Sequence, residues 1–179
     1  INVRHIRSQE VVRSAFPIFR QTGNEVFIQP GQYEFAENEV EFRTAGQREF
    51  SGSLSYRSGD FFNGERNNIG ASFDWNQSRY FRASINYDWN SIDLPQGSFI
   101  TRLASANTQV AFTPELYWIT LVQYENISEE IGINTRLQWI PQAGQEGFIV
   151  LNYGLQDRDQ DNTFQTASAD ISVKFRYTF

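Results

Sequence analysis

The sequence predicts an all-β protein, an antiparallel up-and-down transmembrane β-barrel of about ten strands with short periplasmic turns and longer extracellular loops. Three observations predict this fold. Apolar and polar residues alternate along segment after segment, aromatic residues gather near the segment ends, and no helical periodicity appears between the segments. Residues 167–179 alternate most strictly. Such alternation places a strand between two different environments.

Composition excludes several classes of protein. The chain has 179 residues, no Cys, a formal net charge of −6 and an aromatic content of 16%. The lack of Cys excludes a disulfide framework and thiol catalysis, and the acidic balance argues against nucleic-acid binding. The longest apolar runs are far below the roughly 20 residues of a spanning helix. We expect one domain over residues 1–179, either a whole barrel or the C-terminal part of a longer one.

The first half of the chain becomes regular only after residue 32. Residues 11–19 could form a strand interrupted by Pro17, which would make it an edge or bulged strand, and residues 28–31 are typical of a turn. Regular strands begin at Tyr33. The strands predicted in this half span residues 36–44, 50–57, 69–75 and 81–89, with tight turns at 45–48 and 76–78 and a longer loop at 59–64.

The second half continues the same alternation to the C-terminus. Together the two halves give nine strands from Tyr33 onward, or ten with the doubtful strand near Val11. The predicted strands span 100–112, 116–126, 131–139, 147–155 and 167–179, with tight turns at 113–115 and 141–146 and longer loops at 90–98, 127–130 and 157–162. Connections that alternate between short and long are typical of an outer-membrane barrel.

The positions of the aromatic residues favour lipid over a protein core. Alternation alone also fits a soluble lipocalin-like ligand-binding barrel, which stays open as an alternative. Two aromatic belts around a band of Ala, Ile, Leu and Val are what the two interfaces of a bilayer select. The predicted lipid-interface aromatics are Trp75, Trp89, Trp118, Trp139, Tyr87 and Tyr153.

The opposite face of the strands carries Ser, Asn, Gly and Gln with a few charges, as a narrow lumen filled by hydrogen-bonded side chains requires. Glu37, Glu39 and Glu41 could be paired carboxylates for acid–base chemistry, but an ion-paired lumen wall explains them more simply. Arg57 or Arg82 would supply the cation. The predicted lumen charges are Arg82, Arg136, Asp74, Lys174 and Arg176.

The C-terminal strand ends in alternating aromatic residues, Phe175, Tyr177 and Phe179. A terminal Phe in this setting resembles the signal by which outer-membrane barrels engage their assembly machinery. We therefore expect these three residues to act as the C-terminal assembly signal, with the terminal Phe at the periplasmic belt.

Six segments, taken in order, also resemble one particular family. They span residues 28–35, 58–66, 93–99, 112–116, 122–128 and 134–141. The family is the C-terminal outer-membrane β-barrel domain, of uncharacterised function, of bacterial surface proteins that carry an N-terminal family-nine-like carbohydrate-binding module. The resemblance implies the outer membrane of a Gram-negative bacterium and a role as anchor or surface component linked to glycan binding or uptake. It brings no catalytic residues.

No catalytic, cofactor or metal site is predicted. His5 is the single histidine, so Ser-His-Asp and His-metal arrangements lack residues. Residues 157–162 have the acidic spacing of a calcium loop but lack its glycine. The alternative hypothesis is an outer-membrane hydrolase with an acidic site at loops 59–66, 90–98 and 157–162. Expected partners are outer-membrane lipid and lipopolysaccharide, the barrel-assembly machinery and other chains of a surface complex, with no nucleic acid and no cofactor.

Overall fold

Strands account for most of the computed structural model, which describes residues 1–21, 24–158, 161 and 163–178. Within these residues no helix is long and apolar enough to cross a membrane. The strands are β1 (Asn2–Val12), β2 (Phe16–Gln21), β3 (Asn24–Ile28), β4 (Gly31–Arg43), β5 (Phe50–Phe61), β6 (Gly64–Trp75), β7 (Phe81–Leu94), β8 (Gly97–Thr113), β9 (Leu116–Glu125), β10 (Glu130–Gln142), β11 (Gln145–Gln156) and β12 (Gln165–Tyr177).

Ten strands form one sheet in the order β1-β4-β5-β6-β7-β8-β9-β10-β11-β12. From β4 onward each strand lies beside its neighbour in sequence, which is an up-and-down meander. The C-terminal strands pair in antiparallel orientation; Gly132 of β10, for example, lies opposite Gly154 of β11. The prediction of an all-β, antiparallel up-and-down fold is therefore confirmed, including the nine strands that follow residue 30.

The strand predicted over residues 11–19 is correct only in part. β2 covers Phe16–Gln21, and its pairing with β3 is irregular between Pro17 and Phe19, as expected of a bulged strand, but β2 is not the tenth strand of the main sheet. The tenth strand of the sheet is β1, which pairs with β4 from Asn2 opposite Glu41 to Val12 opposite Gly31. β1 ends at Val12, and β2 begins at Phe16 in a different sheet. The alternation is invisible in β1 because polar residues occupy both of its faces. The turn predicted at 28–31 is confirmed, since β3 ends and β4 begins there.

Two of the predicted longer loops are instead two-residue turns. Phe62 and Asn63 join β5 to β6, and Pro95 and Gln96 join β7 to β8. The polar residues around these turns remain in strands because the ladder uses backbone groups, whatever the side chain. Phe62 adopts a left-handed φ of 51°, a position where hairpin turns usually show Gly, Asn or Asp. The predicted contrast in loop length therefore fails at 59–64 and 90–98.

The most deeply buried apolar side chains belong to the short hairpin β2–β3. Val26 and Ile28 are fully buried, and Phe19 stacks on Phe99 of β8 with ring centroids 4.5 Å apart. Leu94 of β7 is also buried. The hairpin therefore packs on β8 at Phe99 and forms a small apolar core there.

The chain divides into two compact units. The first comprises residues 1–44, 53–71 and 88–102 and contains the β2–β3 hairpin. The second comprises residues 45–52, 72–87 and 103–179 and contains the pairings among β9, β10, β11 and β12. The single domain expected over residues 1–179 stays a prediction.

Candidate functional site

The two faces of β4 and β5 differ in exposure, in the sense opposite to that of a protein with a core. We call the face that carries Glu37 and Glu39 the polar face, and the face that carries Val40 the apolar face. Glu39 is 4% exposed while Val40, its neighbour in β4, is 40% exposed. In β5, Ser51 is 8% exposed and Phe50 is 52% exposed. At these positions of β4 and β5 the polar side chains are thus the sheltered ones.

Buried carboxylates on the polar face of the first unit are held by arginines. Glu39 Oε1 lies 2.5 Å from Arg4 Nη2, and Glu39 Oε2 lies 2.7 Å from Arg57 Nη2. Glu37 Oε1 lies 2.6 Å from Arg66 Nη2. These five residues form the ion-pair cluster. Burial of an isolated carboxylate would be strongly unfavourable, so the arginines are what allows Glu37 and Glu39 to lie there charged.

The ion-pair cluster confirms the predicted ion-paired wall with Arg57 as a partner. Arg82 is not a partner of these carboxylates, since no ion pair of Arg82 occurs among the described residues. Glu41 in turn lies 2.6 Å from Arg43. Because an arginine engages each of the three carboxylates, none is left as a free base, and the arrangement favours a structural wall over acid–base chemistry.

Amide and hydroxyl groups continue the polar face beside the ion-pair cluster. Asn68 Nδ2 donates to Asp88 Oδ2 at 3.0 Å and to Asn90 Oδ1 at 3.1 Å. Asn90 Nδ2 donates to Asp88 Oδ1 at 2.6 Å and to Thr101 Oγ1 at 3.1 Å. These bonds join three adjacent strands. Such a connected network holds its side chains in fixed positions.

The predicted interface aromatics all lie on the apolar face. Trp118, Trp139 and Tyr87 are exposed, whereas the other three are half-buried. Trp118 Nε1 donates to Thr135 Oγ1 at 2.6 Å, so its polar edge is satisfied within the sheet. Trp75 contacts the ring of Phe81 with centroids 5.1 Å apart. A role of these rings at a lipid interface stays a prediction.

The predicted lumen charges lie on the polar face, but the structure does not bring them together as pairs. Among the described residues none of the five lies within ion-pair distance of an opposite charge. These lumen charges are Arg82, Lys174 and Arg176, which are exposed, and Asp74 and Arg136, which are half-buried.

In the predicted assembly signal, Phe175 and Tyr177 are exposed on β12, and Phe179 lies outside the described residues.

The remaining candidate residues of the sequence are dispersed. His5 Nδ1 lies 2.8 Å from Asn38 Oδ1, which accounts for it as part of the β1–β4 pairing. Asp60 accepts a hydrogen bond from the backbone N–H of Ala36 at 3.0 Å. Within the described part of the chain no three His, Asp or Glu side chains group as metal ligands would. Part of the loop 157–162 lies outside the described residues. The hydrolase alternative stays untested.

Sequence reasoning missed Arg4 and Arg66 of the ion-pair cluster. Arg4 was missed because β1 was not recognised, and its partner follows only from the register that places Arg4 opposite Glu39. Arg66 was assigned to a loop, whereas β6 begins at Gly64. Extending the alternation back from Asn68 would have placed Arg66 on the polar face.

Comparison with known proteins finds two solved structures of remote similarity. Neither a protein-family model nor a curated protein matches the chain. A structure of the KdgM porin in complex with disordered oligogalacturonate aligns over 99% of this chain and 98% of that one, with 11% identity and a TM-score of 0.42. A NanC porin structure aligns over 98% of this chain and 99% of that one, with 11% identity and a TM-score of 0.41. Similarity this remote decides neither the ligand nor the activity of this chain.

Proposed function

We propose that this chain is an integral β-barrel protein of a Gram-negative outer membrane, without catalysis of its own, which acts as a membrane anchor or surface component. One observation carries the proposal: the apolar face is exposed while carboxylates and a serine of the polar face are buried. Each Å² of apolar surface left in water is unfavourable by roughly 25 cal/mol. Hydrocarbon in contact with that face removes the penalty.

The strand count supports the same proposal. Single-chain bacterial outer-membrane barrels have an even number of antiparallel strands, and the sheet has ten. Interiors near eight strands are just filled by side chains, so a lumen of about ten strands is narrow. Charges that pair with one another, as Glu37 does with Arg66, suit such a lumen. We therefore propose an anchor rather than an open channel.

The family resemblance supports the finer part of the proposal, a link to glycans at the cell surface. The partners would be outer-membrane lipid and lipopolysaccharide, the assembly machinery and other chains of a surface complex. The alternating aromatics Phe175 and Tyr177 of β12 support the assembly step, because both rings are exposed and open to recognition.

Tryptophan fluorescence tests the placement in lipid without any substitution. All four tryptophans of the chain, at positions 75, 89, 118 and 139, lie on the apolar face. In vesicles whose acyl chains carry bromine, we expect the protein to lose most of its tryptophan emission, because bromine quenches only on close approach. Aqueous iodide should quench little.

Vesicles of the same lipid without bromine are the control for this measurement. Strong quenching by iodide together with unchanged emission in the brominated vesicles would contradict the proposal and favour the soluble barrel.

A further inference from the structure

A hollow opens on the polar face of the second unit, over strands β9 to β12. Its centre is one row of the sheet, in which Gln123, Gly132, Gly154 and Ser168 lie side by side. The volume of the hollow is about 220 Å³. We call it the glycine hollow, because two glycines on adjacent strands form its floor.

Gly132 is not required by the backbone. A Cβ atom built on Gly132 would meet nothing within 4 Å, and its φ is not in the left-handed region. A glycine inside a strand weakens the strand and often marks a place where a ligand approaches the backbone closely. The empty space above Gly132 therefore has no explanation in the fold itself. At Gly154 the side-chain oxygen of Ser168 would lie 2.5 Å from an added Cβ.

Polar side chains surround the floor and keep unused hydrogen-bonding capacity. Asn134 Nδ2 donates to Asn152 Oδ1, and Asn152 Nδ2 donates to Asp170 Oδ2 at 3.5 Å. Gln123, Glu130 and Ser168 also line the hollow, and among the described residues their side chains have no hydrogen-bond partner within the protein. The lining thus offers amide donors, amide acceptors, a hydroxyl and a carboxylate to a ligand.

We propose that the glycine hollow binds one ring of a neutral saccharide. Hydroxyl groups both donate and accept, so a sugar matches the mixture of amides and carboxylate around the floor. The Cα–H groups of Gly132 and Gly154 give the sugar ring a flat apolar surface to pack on. Glu130 lines the hollow and Asp170 lies beside it, while none of the described residues that line it is Lys or Arg, so an anionic sugar would be repelled.

This inference deepens the proposed link to glycans and rests on it. The test uses protein refolded in a phosphocholine detergent, since sugar-headed detergents would compete for the hollow. Saturation-transfer NMR with methyl β-D-glucopyranoside as the probe should show binding at millimolar concentrations. The corresponding methyl glucuronide, which carries a carboxylate, should bind at least about tenfold more weakly because like charges near Glu130 are unfavourable.

Three variants locate the binding. Gly132→Leu fills open space and should abolish binding of the glucoside. Gln123→Ala removes one unpaired amide, which leaves the sheet intact, and should weaken binding about fivefold, the effect of one hydrogen bond. Gly147→Ala is the matched control, because its Cβ lies on the apolar face in ordinary contact with Phe175 and should leave binding unchanged.

The outcomes separate this inference from the proposed function. If the protein is folded and needs detergent but does not bind the glucoside, the proposal that the glycine hollow binds a saccharide is wrong. The proposed membrane barrel is unaffected by that result. Equal binding by the wild type, Gly132→Leu and Gln123→Ala would overturn the location. Tighter binding of the glucuronide than of the glucoside would overturn the choice of a neutral ligand. A chain that needs no detergent would instead end the proposed function.

Discussion

Ile171→Lys is expected to lower the stability of the membrane-inserted protein by roughly 2–4 kcal/mol, the range for a cation at the lipid midplane of an outer-membrane barrel. Ile171 lies in the middle of β12 on the apolar face, opposite Leu151, and is 69% exposed. A charge there would have to leave water for hydrocarbon. Urea titration of protein refolded into vesicles, followed by tryptophan fluorescence, measures the free energy of unfolding.

Ser172→Lys is the matched control for this substitution. Ser172 is the next residue of the same strand, lies on the polar face and donates to Asp170 at 3.3 Å. A lysine there keeps its ammonium group in water beside a carboxylate, so we expect a change within about 0.5 kcal/mol. Equal effects of the two lysines would show that the two faces of β12 meet the same environment, against the lipid-facing assignment.

The second large effect is expected at the β2–β3 hairpin. Ile28→Ala should destabilise the hairpin by about 2–4 kcal/mol, because Ile28 is fully buried and its truncation leaves a cavity opposite Phe16. The pairing of β1 with β4 does not involve the hairpin, so the sheet should persist. Limited proteolysis, with cleavage sites mapped by mass spectrometry, should show faster cutting between residues 13 and 30.

Val11→Ala provides the comparison. Val11 is also an aliphatic residue near the hairpin, but it is 62% exposed, so truncation removes little buried surface. Its cleavage rate should stay close to that of the wild type. If Ile28→Ala resisted proteolysis as well as Val11→Ala, the apolar core assigned to the hairpin would be wrong.

Strands were predictable where their two faces differ in polarity. Residues 50–57 of β5 and 167–177 of β12 alternate between apolar and polar residues, and both strands were predicted from the sequence. β1 carries Arg4 on one face and His5 and Arg7 on the other, so its period of two disappears. Its position follows instead from hydrogen bonding to β4, which leaves no trace in the composition of β1.

Turns and sites were less predictable, because they depend on pairing between distant residues. The turn at Phe62 and Asn63 has Phe at its left-handed position, where a tight hairpin usually has glycine, and Gly64 already belongs to β6. The ion pair between Glu39 and Arg57 was foreseen because each residue lies on the polar face of a recognised strand. The glycine hollow was not foreseen, since Gly132 and Gly154 become neighbours only through the register of β10 and β11.

The most direct test of the account is the behaviour of the wild-type chain itself in and out of detergent. An outer-membrane barrel keeps its folded form in unheated dodecyl sulfate and should therefore run at a different position on a gel before and after boiling. We expect that shift for this chain, together with precipitation when detergent is removed. A chain that stays monomeric and folded in plain buffer, with the same gel mobility before and after boiling, would contradict the assignment of the apolar face to lipid.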